Sequence, residues 1–134
     1  MLLDQNYAIE QSLWKNLSIL LPPCFMIMWK DFEKVEMRVG RILEVSDFPE
    51  ANNPSYKIVI DFGNYGIKKS SAQITRLYKK EELINKQIIA VTNFPPKQIA
   101  NFISECLVLG VVLGNNEVVL LKPEREVKEG HRIL

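Results

Sequence analysis

The residues best suited to contacting a ligand lie in one polar segment, 67–76, which reads Ile-Lys-Lys-Ser-Ser-Ala-Gln-Ile-Thr-Arg. Its hydroxyl and amide groups are short hydrogen-bonding groups, and its lysines and arginine add positive charge. This combination suits phosphate groups and polar peptide backbone. The alternative interpretation is an ordinary solvated charge cluster at the end of a strand. The candidate contact residues here are Lys68, Lys69, Ser70, Ser71, Gln73 and Arg76.

A second segment with binding potential, 93–105, joins two apolar stretches and contains two phenylalanines. Aromatic rings interleaved with basic and amide groups suit a surface that stacks on bases or holds an extended peptide. The alternative is that the two prolines only stiffen the connection and that the phenylalanines are core, and at least one of Phe94 and Phe102 is expected there. The candidate contact residues of this segment are Asn93, Lys97, Gln98 and Ser104, while Arg41 and Lys57 add charge from predicted strands.

Residues that could carry catalysis or hold a metal are few. The two cysteines, Cys24 and Cys106, are far apart and stand in no zinc-binding or disulfide spacing, which favours a reducing, cytoplasmic setting. His131 has no acidic or serine partner near it in sequence. No glycine-rich phosphate loop or hydrolase motif is present. We therefore expect a binding module without catalysis, cofactor or metal.

Length and composition predict one globular domain with appendages. The 134 residues are 47% hydrophobic and 25% charged, which is ordinary for a folded protein. The net charge is +1, so attraction to nucleic acid must come from the placement of the charges.

The first 27 residues differ in character from the rest, because they carry few charges and end in an apolar run interrupted by Pro22 and Pro23. The run is too short for a membrane span and its flanks do not fit a signal peptide. Two interpretations stay open, namely a genuine extension and a mis-assigned start with Met28 as the true one. We treat 1–27 as an extension that the fold does not need, and 28–134 as the domain.

The secondary-structure pattern from residue 29 onward is that of a small β-barrel. A short helix capped by Asp31 is predicted, followed by a strand over 37–45 with a bulge or sharp bend near Gly40. Further strands are predicted over 56–62, 67–71, 87–92, 106–113 and 118–121, with a short helix or turn within 75–83. One helix after the third strand favours an all-β fold of the OB type, a five-stranded barrel.

Several spaced motifs together resemble a known family. These are Asp-Phe-x-Lys-Val-x-Met-Arg-Val-Gly at 31–40, Phe-Pro-Glu-Ala at 48–51, Ser-Ser-Ala-Gln-Ile-Thr at 70–75, Asn-Phe-Pro-Pro-Lys at 93–97, Ser-Glu at 104–105 and Leu-Val-Leu-Gly at 107–110. The chain resembles the tRNA-binding OB domain of dimeric tRNA-binding proteins and methionyl-tRNA synthetase tails, and within that group the CsaA branch of export-related chaperones. Asn101 stands where a glycine is usual, so a positive φ is expected there.

The resemblance implies a cytoplasmic homodimer in which N- and C-terminal extensions of the barrel pair across a two-fold axis. It implies an accessory protein-export chaperone that binds unfolded or precursor polypeptide, with affinity for tRNA and the export machinery as a further partner. The alternative is a dedicated tRNA-binding cofactor acting with an aminoacyl-tRNA synthetase. Both functions would use the candidate residues named above.

Overall fold

The structure is a computed structural model that describes residues 25–134, and it divides the chain into two units, 1–34 and 35–134. In the described part of the first unit, Trp29–Glu33 forms a helix, α1. Asp31 lies inside this helix and not at the N-cap position as predicted, but it still caps the helix, since its carboxylate accepts a hydrogen bond of 2.9 Å from the backbone N–H of the N-cap residue Met28. The prediction for 1–27 falls almost entirely outside the described residues.

The second unit is built from antiparallel strands, as the sequence predicted. In chain order they are β1 Met37–Asp47, β2 Tyr56–Asp61, β3 Ile67–Ala72, β4 Gln87–Val91, β5 Lys97–Ile99, β6 Phe102–Ser104, β7 Leu107–Val108, β8 Gly110–Val112, β9 Val118–Leu120 and β10 Arg132–Ile133. The main sheet has the order β3-β2-β1-β4-β7, and β10 pairs with the start of β1. A short helix, α2 (Lys80–Leu83), lies between β3 and β4 as expected. Among residues 25–134, no helix is long and apolar enough to cross a membrane.

The sheet is nearly closed into a barrel where β3 meets the segment that leads into β7. The backbone N–H of Glu105 donates to the carbonyl oxygen of Lys69 over 2.8 Å. Next to it, the hydroxyl of Ser70 donates to the carbonyl oxygen of Cys106 over 2.9 Å. These contacts join the two edges of the sheet, and the predicted OB-type barrel is confirmed.

Alternation along β2 creates the centre of the core. Ile58 and Ile60, together with Phe62 just after the strand, have no exposed surface, whereas the residues between them face outward. Because successive side chains of a strand point to opposite faces, this pattern separates an apolar interior from a polar outer face. Ile42, Leu83 and Ile88 complete the cluster from neighbouring elements.

The irregularity of β1 lies three residues later than predicted. The register with β2 shifts between Ile42 and Glu44, so Leu43 is the extra residue and is exposed, although the sequence pattern placed it with the inward side chains. Gly40 has a different role. A Cβ at this position would lie 2.5 Å from Cγ2 of Ile60, so glycine permits close packing here.

Three further predictions about elements are corrected. The connection 93–105 contains the hairpin of β5 and β6, and the left-handed residue of its turn is Ala100 (φ 51°), not Asn101. The strand predicted over 106–113 is divided into β7 and β8, which belong to different sheets. The C-terminal strand β10 escaped prediction because two residues carry no periodicity.

Candidate nucleic-acid and peptide interface

The outer face of β2 and β3 carries several of the predicted contact residues in register. Lys57 lies opposite Ser71, and Val59 lies opposite Lys69. Directly opposed residues of antiparallel strands project from the same face, and Lys57 and Val59 alternate with the buried residues of β2. Lys57, Lys69 and Ser71 therefore share the outer face of the barrel.

Two aromatic rings border this face and are covered by one lysine. Phe48, in the β1–β2 connection, packs edge-on against Phe102 of β6, with ring centroids 5.5 Å apart. The Nζ of Lys57 lies 4.8 Å from the centroid of Phe48 and 5.7 Å from that of Phe102. At these distances the ammonium group is attracted by both rings, so its position is fixed at the junction of the loop and the hairpin. Phe102 is only half-buried and Phe94 is exposed, so the expectation that at least one of the two phenylalanines would be core is wrong.

The β5–β6 hairpin adds two more predicted residues. Ser104 lies opposite Lys97 in the hairpin, and its hydroxyl accepts a hydrogen bond of 3.3 Å from the backbone N–H of Ser71. This bond attaches the hairpin to β3. We call the resulting area the hairpin surface, defined by Lys57, Lys69, Ser71, Lys97, Ser104 and the half-buried Phe102, with the buried ring of Phe48 beneath it.

The backbone of Lys69 is held by two hydrogen bonds to Glu105, while its side chain is exposed. Its N–H donates to a carboxylate oxygen of Glu105 over 2.8 Å, and its carbonyl accepts from the N–H of Glu105. Cys106, the next residue, is buried behind this pair, and burial raises the pKa of its thiol to about 12. The thiol therefore stays protonated at neutral pH. The side chain of Lys69 is exposed and supplies the positive charge at this position.

Of the predicted residues that do not belong to the hairpin surface, three make contacts that hold the fold. The Nε of Arg41 is 2.6 Å from a carboxylate oxygen of Glu129, and its guanidinium also bonds Glu126. Ser70 is buried, and its hydroxyl closes the barrel. The side-chain oxygen of Asn93 accepts a hydrogen bond from the backbone N–H of Glu36 over 3.0 Å.

Gln73 and Arg76 are exposed in the segment that follows β3. Lys68 belongs to the opposite parity of β3 from Lys69, lies across from the buried Ile60, and is half-buried.

Phe48, buried beneath the hairpin surface, is the residue that the sequence analysis missed as a partner for a charge. It lies in the Phe-Pro-Glu-Ala motif, where the sequence indicates a loop. A cation–aromatic contact with Lys57, nine positions later, depends on the strand register, which no local pattern specifies.

Comparison with known proteins agrees with this fold. Residues 37–132 match the family described as "Putative tRNA binding domain". The structure of the CsaA chaperone protein from Picrophilus torridus is 60% identical, with a TM-score of 0.77 over 81% of this chain and 100% of that one. The chaperone CsaA from Bacillus anthracis is 47% identical, with a TM-score of 0.79 over 81% of this chain and 99% of that one.

A methionine–tRNA ligase from Pyrococcus horikoshii is 37% identical over 107 residues, which are 80% of this chain and 14% of the ligase. The chain thus spans about a seventh of the length of the curated relatives that it matches. Only a small part of those enzymes is shared, whereas nearly the whole of both CsaA structures is. This chain belongs to the tRNA-binding domain family and, within it, to the CsaA branch.

Proposed function

We propose that this chain is an accessory protein-export chaperone of the CsaA type, which binds unfolded or precursor polypeptide in the cytoplasm and also binds tRNA. It acts as a homodimer and catalyses no reaction. The observation that carries this proposal is the hairpin surface, where cations, hydroxyl groups and aromatic rings lie together on a rigid barrel. The relationship to two proteins described as CsaA chaperones supports it.

The polar part of the hairpin surface suits a phosphate backbone. Lys57, Lys69 and Lys97 supply three cations. Ser71 lies opposite Lys57 in the register of the strands, and Ser104, whose hydroxyl bonds the backbone of Ser71 and Cys106, lies opposite Lys97. Phosphate contacts of this kind orient a nucleic acid without reading its sequence. The outer face of strands two and three and the adjoining loops are also where OB folds commonly bind oligonucleotides.

Exposed apolar residues adjacent to the hairpin surface suit side chains of an unfolded polypeptide. Ile103 is 55% exposed on the face of the hairpin that carries Gln98, and Phe94 is 51% exposed just before the hairpin. Exposed apolar groups rimmed by polar residues are typical of interaction surfaces. Extended peptide would thus gain contacts that an RNA phosphate does not use.

The homodimer is supported by the exposed apolar surface of the β8–β9 hairpin. Val111 lies opposite Val119 on one face of the hairpin, and both are exposed, as are Leu113 and Leu121, which follow two residues later on each side. Burying such a patch against its own copy would form an isologous interface and place two hairpin surfaces on one particle. Two surfaces per particle would increase the avidity for long clients and RNA.

The second candidate is a dedicated tRNA-binding cofactor of an aminoacyl-tRNA synthetase. The match to methionine–tRNA ligases favours this alternative, because the shared region is a tRNA-binding-type domain. Both functions use the same surface, so they differ in which ligand binds strongly under cellular salt.

A salt comparison separates the two functions. We would measure binding of tRNA and of a permanently unfolded precursor polypeptide at about 50 and 200 mM salt. Affinity that comes from contacts with phosphate groups falls steeply over this range. The chaperone proposal expects client binding to persist at the higher salt. A chain that binds tRNA at both salt concentrations but never binds the client would instead be a tRNA-binding cofactor.

Two single variants separate the contribution of the hairpin surface from that of the adjacent apolar residues. Ile103→Ser should weaken client binding and leave tRNA affinity unchanged, because Ile103 is apolar and exposed. Lys97→Glu should do the reverse. Both residues lie in exposed positions of the same short hairpin, so each variant is a control for the folding of the other.

A further inference from the structure

We propose that a polar cavity beside the C-terminal segment binds a small diphosphate, meaning a ligand that carries two linked phosphate groups. The cavity lies between the α2–β4 connection and the segment that follows β9. Its lining includes four basic residues and two acidic ones. None of the lining residues belongs to the hairpin surface, so the inference stands apart from the proposed binding of tRNA and polypeptide.

The size and lining of the cavity favour a compact, highly charged ligand. Its volume is about 340 Å³, which lies within the range of about 300–1,000 Å³ that is common for small-molecule sites. No aromatic side chain is among the lining residues, so a base or another flat ring would find no partner for stacking. The residues that line the cavity are Arg41, Asn85, Lys86, Gln87, Lys122, Pro123, Glu124, Arg125 and Glu126.

The two walls of the cavity are attached to the main sheet. The buried side chain of Gln87 at the start of β4 donates to the carbonyl oxygen of Val127 and accepts from the N–H of Val127 over 3.2 Å. On the other wall, NH1 of Arg41 in β1 donates to the carbonyl oxygen of Asn85 over 2.8 Å. Because these bonds fix both walls before a ligand enters, little ordering is needed for binding.

The charges of the lining leave an excess of positive charge. Arg41 is neutralised by the carboxylates of Glu126 and Glu129. Glu124 is then the one lining carboxylate that pairs with no cation among residues 25–134. Three basic lining residues also form no ion pair within that part of the chain, namely Lys86, Lys122 and Arg125. An anion that enters the cavity would therefore meet cations whose charge is not already neutralised.

The distribution of these cations over two walls points to two phosphate groups. Lys86 follows α2 on one wall, whereas Lys122 and Arg125 lie in the segment after β9 on the other. A diphosphate can place one phosphate against each wall and so use all three cations at once. Arginine binds phosphate through two parallel hydrogen bonds, and lysine binds it as a point charge.

Nuclear magnetic resonance titration with inorganic pyrophosphate tests the site directly. Pyrophosphate should shift the amide signals of 85–87 and 124–127 in a saturable manner and leave those of 97–104 unchanged. Sulfate at matched ionic strength should produce smaller shifts, because it is a single anion that cannot span the two walls.

Three results of this titration would overturn the proposal. The first is a set of equal shifts with sulfate, which would indicate general attraction of anions. The second is a set of shifts confined to the hairpin surface. The third is a response of 85–87 and 124–127 to hexa-uridylate but not to pyrophosphate, which would assign these cations to an RNA backbone.

Variants then test the contribution of the lining cations. Arg125→Gln should weaken pyrophosphate binding at least about three-fold, because a charge-assisted hydrogen bond is lost. Glu124→Gln should strengthen binding, since it removes the opposing carboxylate. Lys128→Gln is the matched control, because it makes the same charge change in the same segment but outside the lining. If Lys128→Gln weakens binding as much as Arg125→Gln, with melting temperatures unchanged, net charge governs the affinity and the proposal fails.

Discussion

Lys68 and Lys69 are adjacent in sequence but belong to opposite faces of β3. Lys69 lies across from Val59 on the outer face, whereas Lys68 lies across from the fully buried Ile60. Lys69 is exposed and Lys68 is half-buried. The two lysines of the most polar segment therefore have different environments, and only Lys69 belongs to the hairpin surface.

The first prediction is that reversing the charge of Lys69 weakens RNA binding more than reversing that of Lys68. Lys69→Glu should reduce tRNA affinity and lower the salt slope by about 1, because one phosphate contact is lost. Affinities over a series of salt concentrations measure both effects.

Lys68→Glu is the matched control, since it makes the same change in net charge one residue earlier. It should retain more of the tRNA affinity and show a lower melting temperature, because Lys68 is half-buried and lies across from the buried Ile60. Equal losses of affinity in the two folded variants would show that net charge, and not the hairpin surface, governs RNA binding.

A second prediction concerns self-association through the β8–β9 hairpin. Val111 is 48% exposed and lies opposite Val119 in this hairpin, and Val111→Glu would place a charge in the centre of the proposed interface. The parent chain should sediment as a dimer, and the variant should sediment as a monomer near 15.5 kDa. Leu77→Glu changes an exposed apolar residue elsewhere and should leave the dimer intact. A monomeric parent chain would contradict the prediction.

A third prediction follows from the close packing at Gly40. A Cβ at Gly40 would lie 2.5 Å from Cγ2 of Ile60 and 2.7 Å from Cε1 of Phe62, both in the core. Gly40→Ala should therefore lower the free energy of unfolding by about 1–3 kcal/mol, as overpacking does elsewhere. Gly114→Ala is the control, since nothing lies within 4 Å of the added carbon. Denaturant unfolding measures both, and equal stabilities would contradict the prediction.

The parts of the fold that the sequence predicted are those where one residue type repeats with a fixed period. In β2, burial alternates strictly from Tyr56 to Asp61, so the strand and its outward-facing residues could be predicted from the sequence pattern. The position of the bulge at Leu43 could not be predicted, because a bulge at a neighbouring residue fits the local pattern equally well. The pairing with β2 determines where the extra residue lies. The hairpin of β5 and β6 was missed for a related reason, since two three-residue strands show no usable alternation.

The candidate contact residues divide in the same way. Lys57, Lys69 and Lys97 were named from charge and turn chemistry, and the structure gathers them on one surface. Arg41 was named on the same grounds but lies among carboxylates of the C-terminal segment. The sequence does not specify which distant segment will bring a carboxylate next to a given basic residue. An arginine that forms ion pairs in the folded chain and a lysine that faces outward therefore look alike in the sequence.

The last prediction is a pH dependence of stability from the contact between Arg41 and Glu129, whose atoms are 2.6 Å apart. A hydrogen bond from its own backbone N–H and one from Arg41 lower the pKa of Glu129. An unfolded glutamate titrates near about 4.3, so this stabilisation is present above that pH and is lost as the pH falls through the lower folded pKa. Glu129→Gln should therefore be less stable at pH 7 and depend less on pH between about 5 and 3. Urea unfolding at each pH measures this, with the exposed Glu124→Gln as the control. Identical pH profiles for the parent and Glu129→Gln would show that the contact contributes nothing to folding.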